Sequence, residues 1–363
     1  MSGYKTIPKA EVFKRRENLF AACSFDALIL FNGDRSRGLP PSFKYFAGFQ
    51  PDMSALVLTK NGGTVITVPE NRQKTVAESS YPVRFFENKI NSEQTRKLLM
   101  ETIGDGKTIG FLKHEIAAVF YESFQKSLEG MELMDATKDV GSVRAVKSSS
   151  EIEIMSRVTD TTRKILNELD PWKFETEAKL QQHLKIMALE AGAGLSFEPT
   201  VAAGANSSSM HTDSTDAKLG NYVLVDFGLK QDDYCSDLTR CYFREKGMKE
   251  EGFYKNCMDI FNDILENLHV NKLAKDLAFY SNTLYEKYGL KPPGHAIGHG
   301  IGIEAHDSPK LLPLPTNTDE LKPGTVLAIE PGAYFEGKFG VRYEDVVVHD
   351  PLTGRWNIAS LEK

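Results

Sequence analysis

The strongest constraint on the fold is an order of elements in the second half of the sequence, where two helical windows followed by a β-hairpin occur twice. The helical windows are residues 151–169, 175–191, 250–269 and 272–288. Each hairpin carries two carboxylates in apolar strand-like segments, Asp226 and Asp237 in the first and Glu330 and Glu344 in the second. From 226 to 330 is 104 positions, and from 237 to 344 is 107. We interpret this agreement as an internal duplication that places both hairpins around one pseudo-two-fold axis.

The first pair of carboxylates indicates a bound cation. If Asp226 lies directly opposite Asp237 in an antiparallel hairpin, the turn centres between Gln231 and Asp232, and the two Cβ atoms are about 4.5–5.5 Å apart. Two carboxylates this close in a core repel each other and lose their hydration unless a cation compensates. The apolar neighbours at 223–225 argue against the alternative, in which both aspartates lie on a solvated face.

The second pair extends the same argument. Alone, Glu330 and Glu344 would more often be salt-bridge partners, with Arg342 as the obvious candidate. As the duplicated counterparts of the aspartate pair, both glutamates are predicted to be metal ligands.

A glycine-rich run over 294–307 holds three of the eight histidines of the chain: His295, His299 and His306. Glycines let the backbone approach a ligand closely, and histidines packed among them beside carboxylates are more often functional than structural. His211 lies in a similar position before the first hairpin. Two divalent cations about 3.5–4 Å apart suit hydrolysis, and a ligand set of carboxylates with one imidazole favours Mn²⁺, Co²⁺ or Zn²⁺.

The first part of the chain has a different character. Residues 1–143 alternate strand-like and helix-like segments and contain no cluster of catalytic residue types, which predicts a separate α/β domain. The second domain is expected over 144–363, and its first helix begins where Ser148 is followed three residues later by Glu151.

Composition excludes several classes of function. The formal net charge of −6 argues against a nucleic-acid partner, because phosphate binding needs a surplus of Lys and Arg. No apolar stretch has the length of a membrane span or of a signal-peptide core. The four cysteines have neither metal-site nor redox spacing. We therefore expect a cytoplasmic protein with no membrane or nucleic-acid partner.

Four motifs resemble those of the pita-bread metallopeptidases, and most closely those of the prolidase and aminopeptidase P branch. They are Asp226 followed by Asp237-Leu238-Thr239-Arg240, the glycine run 298–302 with His306, Glu330-Pro331-Gly332, and Arg342-Tyr343-Glu344-Asp345. The resemblance covers essentially the whole chain. It implies a creatinase-like α/β domain over 1–143 and a pita-bread catalytic domain, with its internal pseudo-two-fold duplication, over 144–363.

The resemblance also implies a dinuclear centre of Mn, Co or Zn. Its five ligands would be Asp226, Asp237, His299, Glu330 and Glu344. Asp237 and Glu344 would bridge the two ions, and Glu330 would also exchange a proton with the attacking water. His295 has no firm role in the family and is expected to be structural or to support a ligand.

Four further roles are implied for side chains around the metals. His306 would interact with the substrate carbonyl and the tetrahedral intermediate, and His211 would line the site on the leaving-proline side. Thr239 and Arg342 would orient the bridging carboxylates.

The substrate implied is a small peptide with proline after the scissile bond. We expect an Xaa-Pro dipeptidase, with an Xaa-Pro aminopeptidase acting on longer peptides as the alternative. Dipeptide-cleaving members often carry an arginine shortly before the Glu-Pro-Gly segment, whereas residues 308–324 contain Lys310 and Lys322 but no arginine. A homodimer is the common arrangement in the family, and the N-terminal domain is the expected place of subunit contact.

Three other interpretations are less consistent with the residues. A metal-free creatinase-like C–N hydrolase would lack the complete carboxylate set. Methionine aminopeptidases share the ligands but leave the N-terminal domain unexplained. An inactive pita-bread scaffold that binds other proteins would be expected to have lost ligands, and all five are present here.

Overall fold

The structure is a computed structural model that describes residues 7–33, 39–86 and 92–361. The chain divides into two compact units, residues 1–143 and 144–363.

The first unit is an α/β unit built on one sheet. Its helices are α1 (Lys9–Ala22), α2 (Pro41–Ala47), α3 (Arg72–Glu78), α4 (Ser92–Ile103), α5 (Ala118–Ser127) and most of α6 (Thr137–Ala145). The last two residues of α6, Arg144 and Ala145, belong to the second unit. Its strands are β1 (Ala27–Asn32), β2 (Ser54–Thr59), β3 (Gly62–Thr67), β4 (Val83–Phe85), β5 (Thr108–Phe111) and β6 (Glu132–Asp135). The sheet order is β4-β3-β2-β1-β5-β6, with antiparallel pairs around β2 and parallel pairs toward both edges.

Apolar runs form the central strands of this sheet. Ile29 of β1 lies opposite Val57 of β2, and both side chains are buried in one core with Ile109 of β5. Antiparallel pairing joins Thr59 to Gly62, so β2 and β3 form a tight hairpin.

The second unit contains four long helices and the remaining strands. The helices are α7 (Ser149–Glu168), α8 (Glu177–Glu190), α9 (Lys249–Asn267) and α10 (Ala274–Lys287). The strands before α9 are β7 (Gly194–Leu195), β8 (Thr200–Ala203), β9 (Tyr222–Phe227), β10 (Leu229–Gln231), β11 (Tyr234–Cys235) and β12 (Leu238–Phe243). Those after α10 are β13 (Gly298–Gly300), β14 (Asp307–Lys310), β15 (Val326–Ile329), β16 (Gly332–Phe335), β17 (Phe339–Arg342), β18 (Asp345–His349) and β19 (Trp356–Ile358).

The four predicted helices and the repeated order of elements are confirmed. Two helices and then a hairpin occur twice, and each helix begins and ends within two or three residues of its predicted bounds. At the start of α7, the Ser148 side chain accepts a hydrogen bond from the Glu151 amide, and the Glu151 carboxylate accepts one from the Ser148 amide.

Small antiparallel sheets hold the two hairpins of the second unit. β9 pairs with β12 and β8, and β10 pairs with β11 and β7, whereas the later strands form a five-stranded sheet in the order β14-β13-β15-β18-β19. β16 and β17 pair separately. A bridge between Thr239 and Glu344 joins the first hairpin to the second. None of the helices within the described residues is long and apolar enough to cross a membrane.

The predicted register of the first hairpin is wrong by two residues. Asp226 lies opposite Thr239 rather than Asp237, because the hairpin turns at Asp232 and Asp233. Both turn residues have positive φ, 49° and 72°, as a two-residue hairpin turn requires. Because side chains alternate along a strand, a shift of two residues leaves each carboxylate on its original face.

The second hairpin also sets its carboxylates at a break in the ladder. Ile329 pairs with Asp345 and Gly332 pairs with Arg342, so Glu330 and Glu344 lie in the gap between these two pairs. The buried Tyr285 hydroxyl secures this gap, because it donates to the Gly332 carbonyl at 3.1 Å and accepts from the Gly332 amide at 3.0 Å.

Candidate metal centre

The structure brings the five predicted ligands together. Asp226 comes from β9, Asp237 directly precedes β12, Glu330 directly follows β15, and Glu344 directly precedes β18. His299 lies in the middle of β13, opposite Ala328 of β15, which turns its ring toward the same point. In three overlapping groups, potential ligand atoms lie within 4.8 Å of one another. The groups are Asp237, His299 and His306; His299, Glu330 and Glu344; and Asp226, Asp237 and Glu344.

His299 presents one ring nitrogen to the carboxylates. Its Nε2 lies 3.7 Å from Asp237 Oδ2 and 3.9 Å from Glu330 Oε1. Its Nδ1 lies 3.1 Å from the Gly300 carbonyl, so Nδ1 carries the proton that this hydrogen bond needs. Burial lowers the pKa of His299 to about 4. The neutral ring therefore leaves Nε2 with a free lone pair, as a metal ligand requires.

Burial raises the pKa of every carboxylate in the cluster, and repulsion between carboxylates adds to the shift for Asp237, Glu344 and Glu330. For Asp237, burial raises the pKa well above its usual range, and three neighbouring carboxylates raise it further. The pKa of Glu344 is raised in the same way. Burial raises the pKa of Glu330 to about 7 and that of Asp226 above its ordinary value, although Arg342 opposes both shifts. Four carboxylates so placed can all ionise only beside added positive charge.

Two carboxylate oxygens in the cluster lack any partner among the described residues. Asp226 Oδ1 and Asp237 Oδ1 are buried and accept no hydrogen bond there. A buried carboxylate oxygen without a partner is costly, and a divalent cation bound by oxygen and imidazole ligands would satisfy it. The residues present therefore fit divalent metal ions.

Arg342 and Thr239 restrain two carboxylates of the cluster through hydrogen bonds. Arg342 donates from Nη2 to Asp226 Oδ2 at 2.6 Å and from Nε to Thr239 Oγ1 at 2.9 Å. The Thr239 hydroxyl in turn donates to Glu344 Oε2 at 2.6 Å. This relay restrains one carboxylate from each hairpin and leaves their other oxygens directed into the cluster.

A cavity of about 520 Å³ opens over the cluster. His211, His295 and His306 line it together with all five predicted ligands. The His306 ring lies against the His299 ring, with 4.4 Å between centroids. His295 Nδ1 is 3.8 Å from Glu330 Oε2, and its buried Nε2 has no hydrogen-bond partner among the described residues.

Several cavity residues were not identified from the sequence. Apolar walls come from Phe197, Met210 and Leu312. Tyr334 does not line the cavity but accepts a hydrogen bond from Arg342 Nη1 at 2.9 Å, and the one sequence signal for it is its place four residues after Glu330. The apolar residues carry no comparable signal, because their segments look like ordinary loop or strand-end sequence.

Comparisons with known proteins identify relatives for both units. The sequence profile of metallopeptidase family M24 matches residues 152–351, and that of the creatinase/prolidase N-terminal domain matches residues 14–146. An Xaa-Pro dipeptidase of Pyrococcus furiosus is 26% identical over 323 residues, which cover 85% of this chain and 88% of that protein. An uncharacterized peptidase of Methanocaldococcus jannaschii is 30% identical over 211 residues, which cover 56% of this chain and 60% of that protein.

A solved structure shows the same fold. The X-Pro aminopeptidase of Thermotoga maritima superimposes with a TM-score of 0.80 at 23% identity, over 95% of this chain and 98% of that one. The α/β domain followed by a pita-bread domain, which the sequence predicts, is therefore confirmed as the fold.

Proposed function

The chain belongs to metallopeptidase family M24, and on that premise we propose that it hydrolyses the peptide bond before proline with the help of two divalent metal ions. The observation that carries the proposal is the buried cluster of four carboxylates and one imidazole, with two carboxylate oxygens lacking a partner among the described residues. A cluster with this many raised carboxylate pKa values would be unfavourable as a purely structural feature.

The cluster residues would hold the metals. Asp237, Glu344 and His299 each belong to two of the three ligand groups. Of these three, Asp237 and Glu344 have two carboxylate oxygens to offer, which supports a bridging role for both. Divalent ions bound here would supply Lewis-acid polarisation of the scissile carbonyl and of the attacking water.

Glu330 would accept and pass on the proton of the attacking water. Its carboxylate lines the cavity and is directed by the backbone, since the Glu330 amide donates to the Ile297 carbonyl at 2.9 Å. We assign to it the proton that leaves the attacking water and later passes to the proline nitrogen.

His306 would contact the substrate carbonyl, and His211 would contact the leaving proline. Burial lowers the pKa of His306, so its ring is neutral at pH 7 and offers one N–H donor to a carbonyl oxygen that gains negative charge. His211 is exposed at the rim of the same cavity, where it can contact the leaving proline.

The cavity suits a bond before proline. An Xaa-Pro bond is a tertiary amide with no N–H, and the ring fixes φ near about −65°, so an enzyme that grips an extended backbone loses a contact. Phe197, Met210 and Leu312 offer apolar surface for the ring, and none of them requires a backbone donor from the substrate.

Substrate length separates the two forms of the proposal. Lys310 lines the cavity, and within the described part of the chain its ammonium has no acidic partner, so it can receive the free carboxylate of a dipeptide. Lys322 is instead paired with Glu320 at 2.9 Å. This placement favours an Xaa-Pro dipeptidase. The missing arginine in residues 308–324 favours the alternative, an aminopeptidase that acts on longer peptides.

The test is hydrolysis of an Xaa-Pro dipeptide and of a tripeptide with proline second, after chelation and after adding back Mn²⁺ or Co²⁺. Metal-dependent cleavage of the dipeptide alone is expected. Cleavage of the tripeptide would establish the aminopeptidase, and no cleavage of either peptide with any metal would refute both forms.

A further inference from the structure

The His306 ring has little of its own to hold it in place. Within the described residues no hydrogen bond restrains the imidazole, which packs against the His299 ring. Its position therefore depends on the backbone turn that carries it, residues 301–307. A group that fixes this turn also fixes the catalytic imidazole.

Arg144 contacts this turn at two carboxylates. Its Nε and Nη2 donate to Asp307 Oδ2 at 3.2 and 3.0 Å, and Nη2 also donates to Glu304 Oε2 at 2.5 Å. Arg144 is buried, with 4% of its surface exposed, and so is Asp307, the residue next to His306. The guanidinium of Arg144 thus binds one carboxylate before His306 in the sequence and one after it, which restrains the turn at two points.

The surroundings of this contact are charged and tightly packed. Lys147 is buried nearby, where Asp307 and Glu151 stabilise its charge against the cost of burial. Gly302 leaves room for both groups, because a Cβ there would lie 3.0 Å from Asp307 Oδ2 and 3.1 Å from Lys147 Cε. Asp307 Oδ1 accepts from its neighbouring Ser308 amide at 2.8 Å, which orients the carboxylate toward Arg144.

We propose that Arg144 is a positioning residue that acts through Asp307 and Glu304 to hold His306 over the metal cluster. The inference rests on the proposed function, in which His306 contacts the substrate carbonyl. Arg144 itself does not line the cavity, so its effect on the reaction must pass through the turn.

The expected effect is large on turnover and small on binding. Removing the guanidinium leaves Asp307 buried beside Lys147 alone and frees Glu304, so the turn can relax. A displacement of about 1 Å at a catalytic group can lower a rate by about 100-fold. We expect Arg144→Met to lower kcat by roughly 10- to 100-fold, with KM and metal content within about twofold of wild type.

A double-mutant cycle separates positioning from general destabilisation. Arg144→Met, His306→Ala and the double variant are compared for kcat on an Xaa-Pro dipeptide. If Arg144 acts through His306, the double variant matches His306→Ala. The proposal would be overturned if the losses of kcat in the two single variants multiplied in the double variant, or if Arg144→Met kept the kcat of wild type. Arg157→Met is the matched control, because it removes a salt bridge to Asp232 of the hairpin turn and should leave kcat unchanged.

A second readout does not depend on activity. In protein loaded with diamagnetic Zn²⁺ and labelled at histidine Cε1, the His306 signal is assigned by its loss in His306→Ala. We expect this signal to shift or broaden in Arg144→Met while that of His349 stays in place. An unmoved His306 signal would refute the positioning role, even if the protein cleaved no Xaa-Pro peptide.

Glu304→Gln serves if Arg144→Met does not fold. The Glu304 side chain is 41% exposed, so this change keeps the fold while weakening one arm of the Arg144 contact. We expect a smaller loss of kcat than in Arg144→Met. We also expect no further loss when Glu304→Gln is combined with His306→Ala. A kcat equal to that of wild type together with an unmoved His306 signal would count against the proposal.

Discussion

The metal-free protein should lose stability as pH rises, and Glu330 provides a measurable part of this loss. Burial raises the pKa of Glu330 from 4.5 to about 7 in the folded chain, against partial compensation from Arg342. The folded state therefore binds the proton more tightly than the unfolded state does. The resulting stabilisation is complete below pH 4.5 and is lost as pH rises through 7.

The size of this contribution follows from the two pKa values. Each pH unit between them corresponds to about 1.4 kcal/mol, so the whole window is worth roughly 3 kcal/mol, of which about 2 kcal/mol falls between pH 5 and pH 7.5. Glu330→Gln removes the titrating group and keeps the shape of the side chain. The unfolding free energy of chelated wild-type protein should thus fall by about 2 kcal/mol more than that of the variant over this range.

Urea unfolding followed by tryptophan fluorescence measures the difference. Both tryptophans of the chain, Trp172 and Trp356, lie in residues 144–363, so their emission reports on the unit that contains Glu330. Metal-loaded wild-type protein is the control. Bound cations keep the carboxylates ionised, and stabilisation by metal should instead grow with pH, because protons compete less for the ligands.

An equal pH dependence of chelated wild type and Glu330→Gln would refute this account of the electrostatics. So would a wild type that gains stability relative to the variant as pH rises, since that sign requires a lowered carboxylate pKa in the folded state.

Three further predictions concern single side chains. Asp237→Ala removes a central ligand, so metal content by elemental analysis and turnover should both fall to background; near-wild-type turnover would contradict the ligand assignment. His306→Ala should keep its metals and lose roughly 100-fold in kcat, as loss of one oxyanion donor does; loss of metal instead would make His306 a ligand. Lys310→Gln should raise KM for an Xaa-Pro dipeptide by about tenfold and leave KM for its C-terminal amide unchanged, because a charged hydrogen bond contributes about 1.5–3 kcal/mol. An equal change for both substrates would exclude Lys310 as the carboxylate contact.

The sequence predicted the composition of the cluster better than its geometry. Carboxylates in apolar strands are unusual enough that Asp226 and Asp237 alone predicted a cation site, and the structure places both side chains in one buried cluster. For His299 the residue pattern was insufficient, because three histidines share its glycine-rich run. The resemblance to a family was needed to choose among them.

The register of the first hairpin was missed for a local reason. The polar loop 231–233 allows a turn at either of two adjacent positions. The identities of Asp232 and Asp233 do not determine which residues of the loop adopt positive φ. The alternation of side chains made this error harmless for the site, since a shift of two residues preserves the face of each carboxylate.

Contacts between distant positions could not be predicted from local patterns. Arg144 and Asp307 are separated by 163 positions, and the Tyr285 hydroxyl reaches Gly332 across 47. Such pairs are set by the packing of whole elements, and each side chain alone resembles an ordinary surface or core residue.

The most direct test of the central claim is a titration of chelated protein with Mn²⁺ or Co²⁺, in which bound metal and Xaa-Pro dipeptide turnover are measured on the same samples. The account predicts that turnover rises with bound metal and that binding saturates at two ions per chain. Full turnover without metal would contradict it, and so would saturation of metal binding with no hydrolysis.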